Sequence, residues 1–254
     1  MSLPNKKGNF VIHAFKQSPA RDPDLANRSW DKLEKAIDEI FQENAGNLSF
    51  EELYRTGYNM VLHKHGEYLY QQVAVVLQKR SEELLERAVH TPDEMFLPAL
   101  KKLWEDYKRG LGMVRDILMY MDRTFVKQNN RKAVYDVGVA VFGEHCLRSA
   151  RVKDRMRELL LGLVHAERCG EKVDRDLIRG MTHMLHEIGK DVYAEDFEGP
   201  YVEASRQFYA VESEGFLQAN SCPDYLRKAE ARLAEEAERV AACLPSDYGG
   251  GEGS

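Results

Sequence analysis

Residues 48–65 read LSFEELYRTGYNMVLHKH, and the spacing of their apolar and capping residues decides what kind of fold the chain can adopt. Ser49, followed three residues later by Glu52, is the pattern of a capping box, in which a hydroxyl and a carboxylate satisfy amides at the start of a helix. Leu48 and Leu53 flank it as the matching hydrophobic staple. On a wheel of about 100° per residue, Leu53, Gly57, Met60 and Val61 form one stripe, while Glu51, Tyr54, Tyr58 and Leu62 form a second roughly 120° away. A single core needs only one stripe. The second either packs between neighbouring helices with its hydroxyls at the rim or faces a partner, since tyrosines beside a charge are the composition of an interface hot spot. The residues alone leave both readings open.

Outward from this segment the same period continues. No proline occurs between Pro98 and Pro200, and the apolar residues in that interval recur at spacings of three and four, as amphipathic helices require. The expected fold class is all-α. A first helix over 24–44 carries Trp30, Leu33, Ile37, Ile40 and Phe41 on one face, with Gly46 as its stop. Later helices are expected over 67–89, 97–126, 132–147, 152–168, 174–188, 200–219 and 224–244. Thr91, Pro92 and Glu94 resemble a helix start, but Pro98 would then fall inside the helix and should kink or delay it. Val134–Phe142, with Val137, Val139 and Val141 alternating, reads as a strand as readily as a helix. Stacked helices without strands point to a bundle series or an α-solenoid, whose extended surfaces bind other proteins.

Composition excludes several function classes. Of 254 residues, 43% are apolar and 31% charged, and the net charge is −6, which leaves no overall basic field for nucleic acid or anionic lipid. Apolar runs such as Val73–Leu77 and Ile117–Met121 are far below the roughly 18 residues of a membrane span. The opening residues lack the sustained hydrophobic run of a secretory signal. Cys146, Cys169, Cys222 and Cys243 form no CxxC pair, so neither a zinc site nor a disulfide framework is expected. The expected location is the reducing cytoplasm and nucleus.

Further constellations are few. ILMYMDR at 117–123 places Tyr120 and Arg123 three apart on one helix face. FVIHAF at 10–15 is an apolar island in a polar arm, suited to docking or to packing on its own domain. His63 and His65, two apart, would diverge on a helix. His183 and His186 could share one ion with Glu187 beside them, the basis of a helical metal-dependent hydrolase as the alternative function, although no third ligand of recognisable spacing follows. No GxGxxG, Walker, GxSxG or HExxH motif occurs, so enzymatic activity is poorly supported.

The stretches LSFEELYR at 48–55, MVLHKHGE at 60–67, RDILMYMDR at 115–123, QNN at 128–130, VYAEDFE at 192–198 and EARLAEEAERV at 230–240 resemble the N-terminal region of the cullin family, in its BTB-recruiting branch. The resemblance spans nearly the whole chain. It implies an all-α stalk of five-helix cullin repeats, the first over 24–150 and most of the second over 151–244, with a flexible extension at 1–23 and a flexible tail at 245–254. It also implies a helix at 134–142. The implied role is that of a non-catalytic scaffold in a RING-type E3 ubiquitin ligase, without metal or cofactor, that binds BTB-domain adaptor and substrate-receptor proteins through the second and fifth helices of the first repeat. By position, Leu48, Ser49, Phe50, Glu51, Tyr54, Tyr58, Tyr120 and Arg123 would form that surface. Phe10, Val11, Ile12, Ala14 and Phe15 would contact the partner beside it. The family's regions for the RING-box protein and for attachment of the ubiquitin-like protein NEDD8 are not among these residues. The chain is expected to be monomeric alone and to form a two-to-two complex with a dimeric BTB protein.

Overall fold

The computed structural model describes residues 23–245, and the extension residues Phe10, Val11, Ile12, Ala14 and Phe15 lie outside that range, as do 246–254 of the tail. Among the described residues there are helices and no strands. In order they are α1 (Pro23–Phe41), a 3-10 turn (Ala45–Asn47), α2 (Phe50–Leu62), α3 (Gly66–Val89), α4 (Asp93–Ile117) and α5 (Met119–Met121), which runs into a π turn (Asp122–Val126). Next come α6 (Val134–Phe142) with a π turn (Gly143–Leu147), α7 (Ala150–Arg168), α8 (Arg175–Ile188), α9 (Lys190–Tyr193) with a π turn (Ala194–Glu198), α10 (Gly199–Ala219) and α11 (Cys222–Cys243).

Helix α4 is the spine. Phe96, Leu97, Leu100, Leu103, Trp104, Tyr107, Leu111, Val114 and Ile117 are all buried on it, a stripe wide enough to serve several neighbours at once. It packs against α1, α2, α3 and α6 on one side and against α7 and α8 on the other. One continuous apolar core therefore runs from Trp30 to Cys243. Helix α11 then leans on α8 and pairs with α10.

Two expectations need correction, and one open reading is settled. Pro98 neither delays nor ends α4, which begins at Asp93 and includes it. The amide that proline lacks would have bonded the carbonyl of Glu94, and both residues are exposed, so water can satisfy that oxygen while Phe96, Leu97 and Leu100 hold the turn in the core. The segment Val134–Phe142, whose residues alone read equally as strand or helix, forms the helix that the family resemblance implies. Its placement depends on Gly138, where a Cβ would lie 2.4 Å from Leu111 Cδ1, and on Tyr107, whose buried hydroxyl donates to Gly138 O at 3.0 Å. The expected helix over 97–126 breaks at Leu118 and resumes as a wide turn. Met121 and Val126, five apart, are both buried there, the spacing that a π turn rather than an α turn brings to one face.

Candidate partner-binding surface

The N-terminus of α2 forms as its sequence requires, with one difference. Ser49 Oγ accepts from the Glu52 amide at 3.3 Å. The reciprocal arm of the capping box is absent, because the Glu52 carboxylate instead takes a short hydrogen bond from Lys32 on α1. That bond and the lysine's charge hold the Glu52 carboxyl below its ordinary value. Leu53, Gly57 and Met60 are buried, and Leu48 packs half-buried against the same core. The staple and the first stripe are therefore as expected.

The second stripe is not consumed by packing. Phe50 is 37% exposed and Leu62 54% exposed, while Tyr54 and Tyr58 between them are half-buried. Glu51 is exposed and accepts from Arg55 at 2.6 Å, one turn along. Gly57 explains how this face meets α5. A Cβ there would touch Leu118 Cδ2 at 3.3 Å and Ile117 O at 3.6 Å, so its absence lets α2 settle against the end of α4. The close approach brings Tyr58 and Tyr120 together, with ring centroids 4.4 Å apart and planes tilted by 53°. Tyr120 is half-buried, and its carbonyl accepts from the Thr124 hydroxyl at 2.6 Å inside the π turn. Arg123 is exposed on that turn.

Phe50, Glu51, Tyr54 and Tyr58 of α2, led in by Leu48 and Ser49, thus lie off the core stripe and meet Tyr120 of α5, with Arg123 exposed on the turn that follows it. One contributor was not legible in the sequence, and one was. Leu62, placed on the second stripe by its spacing, extends the strip by one turn. The π turn left no period to read in a stretch as apolar as 117–121. Chemically, the surface presents two touching aromatic rings, a partly exposed phenylalanine and an exposed arginine, a composition suited to burial against another protein.

The other candidates are dispersed. His183 is exposed, His186 lies edge-on to Tyr193 with centroids 5.9 Å apart, and Glu187 takes Lys108 at 2.7 Å and the Tyr135 hydroxyl at 3.3 Å. Among the described residues no three His, Cys, Asp or Glu side chains gather as metal ligands would. No described helix is long and apolar enough to cross a membrane.

Stacked helices around one continuous core, with an aromatic strip left on an outer face, define an α-solenoid. The chain belongs to the cullin family: the cullin alpha solenoid domain model matches residues 30–249. It is 44% identical to Cullin-3B of Arabidopsis thaliana over 92% of the chain. It is 43% identical to Cullin-3 of Dictyostelium discoideum over 97% of the chain, and 35% identical to Cullin-3 of Caenorhabditis elegans over 88%. The alignments cover 32%, 32% and 30% of those relatives, so the chain spans about a third of the length of the curated relatives it matches.

Proposed function

We propose that this chain is a non-catalytic scaffold region of a cullin-RING E3 ubiquitin ligase and that it recruits BTB-domain adaptor and substrate-receptor proteins. The observation that carries the reading is the Tyr58–Tyr120 pair, held at 4.4 Å on a face that the core does not use. The likeness to cullin-3 proteins supports it. Leu48, Ser49, Phe50, Glu51, Tyr54, Tyr58, Tyr120 and Arg123 form the binding surface, and the extension at 10–15 adds contacts beside it. The repeats divide at about residue 150. In the full assembly other regions engage the RING-box protein and receive NEDD8. The work is done in the cytoplasm and nucleus, a setting that suits four free cysteines. No observation favours the hydrolase built on His183, His186 and Glu187.

Calorimetric titration against a panel of purified BTB-domain proteins tests the reading. Binding is expected, and Tyr58→Ala should weaken it by about 2 kcal/mol or more, roughly thirtyfold, as loss of a hot-spot aromatic does. Circular dichroism should stay unchanged. Wild-type affinity in both Tyr54→Ala and Tyr58→Ala would overturn the surface.

A further inference from the structure

The π turn beyond Tyr120 carries charge that the molecule itself does not use. Arg123 and Lys127 are exposed, and neither side chain makes a hydrogen bond or ion pair among the described residues. They sit two residues to either side of Phe125. A Cβ on Gly66 would come 2.7 Å from the Phe125 ring, which therefore faces the start of α3. With about 4.4 residues per turn in a π segment, two steps either way from Phe125 lead to the opposite, outer side. Lys64, exposed at a φ of 65° in the turn just before Gly66, adds a third positive charge at the same end.

The acids nearby are occupied. Asp122 accepts the Val134 amide at 3.0 Å, and Glu67 pairs with Arg131 at 2.8 Å. With Asp122 counted against Lys64, Arg123 and Lys127, the Tyr120 end of the strip still has an excess of positive charge on a chain whose net charge is −6. Three cations are too few for a polyanion track, but they are enough to orient a protein partner whose matching edge is acidic.

Resting on the reading of this surface as the BTB-binding face, we infer that Lys127, with Arg123 and Lys64, forms a steering edge that requires a cluster of carboxylates on the BTB protein opposite the Tyr120 end. Such an edge acts on the rate of encounter more than on the lifetime of the complex. At separations near the screening length, reversing one charge changes encounter by severalfold.

The test is stopped-flow association of the chain with each BTB-domain protein that binds it, from low salt to about 1 M, where the screening length falls to about 3 Å. Lys127→Glu should slow association roughly five- to tenfold at low salt and leave dissociation within about twofold, and the difference should close at high salt. Lys172→Glu, in the turn between α7 and α8, serves as the remote control and should match wild type. Identical salt slopes for the two variants would refute the steering edge alone, provided Tyr58→Ala still weakens binding about thirtyfold. If no BTB-domain protein binds the wild-type chain, the functional reading fails and this inference falls with it.

Discussion

Replacing Glu236 by alanine should loosen α10 and α11 from the rest of the molecule without unfolding it. Glu236 on α11 accepts from Arg168 Nε on α7 at 2.8 Å, from the Tyr201 hydroxyl at 2.9 Å, from the Tyr209 hydroxyl at 2.5 Å and, in a short bond, from Arg239. Burial by itself would raise its carboxyl, but the hydrogen bonds from Arg168, Tyr209 and Tyr201 overcome that and hold it at about 2. Against an ordinary glutamate value of 4.5, this corresponds to about 3 kcal/mol of stabilisation of the charged form. Truncation gives a similar figure, because it strands the Arg168 side chain, only 2% exposed, and breaking a buried pair costs about 3–5 kcal/mol. The lower end applies here: Arg168 keeps Ser205 and Arg239 keeps Glu167 at 2.7 Å. Beyond this network α10 buries Tyr201 and α11 buries Cys243, so little apolar packing opposes detachment. Hydrogen exchange should show the amides of 199–219 opening about a hundredfold more readily in Glu236→Ala, with α4 unchanged. The pH dependence has a definite sign: a depressed carboxyl stabilises fully above about pH 4.5 and loses that contribution as pH falls toward 2. Wild-type stability to urea should therefore fall more steeply across that window than that of Glu236→Gln. Equal protection of 199–219 in wild type and Glu236→Ala would refute the claim that the network holds the hairpin.

Gly138→Ala places a methyl 2.4 Å from Leu111 Cδ1 in a fully buried contact, so thermal melting should show a loss of about 1–3 kcal/mol, while an unchanged midpoint would mean that α6 can back away. Deleting residues 1–20 should weaken BTB binding without abolishing it, as titration of truncated and full chains can show; equal affinities across several partners would exclude a role for the extension. Light scattering should find the chain monomeric alone and two-to-two with a dimeric BTB protein, since a two-fold partner offers the same face twice; one chain per dimer at saturation would refute that geometry.

What the sequence made legible was whatever depends on a regular period. The stripe of Leu53, Gly57 and Met60, the proline-free interval after Pro98 and the Ser49 cap all translate directly into helix and burial. What escaped depends on a neighbour that local spacing does not contain. Glu52 left its own capping box because Lys32 on α1 was closer to its charge. Pro98 was tolerated because the carbonyl it deprives faces water. Val134–Phe142 chose helix because α4 offered Gly138 a groove beside Leu111 and a phenol for its carbonyl. In each case tertiary context decided between local options that were nearly balanced.

The binding strip shows the same division at finer scale. The wheel placed Tyr58 off the core stripe, but it could not say that the ring would meet Tyr120, sixty-two residues on. Two departures from regularity produce that meeting. Gly57 removes the side chain that would have held α2 away from Leu118, and the break at Leu118 turns the chain so that Tyr120 points back while Met121 and Val126 keep the core closed. A methyl at position 57 would sit 3.3 Å from Leu118 Cδ2, so Leu118 or α2 would have to give by a few tenths of an ångström directly behind the two rings. The geometry of the surface is therefore set by contacts behind it, so the shape of the strip can be altered by substitution at a buried glycine that no partner touches.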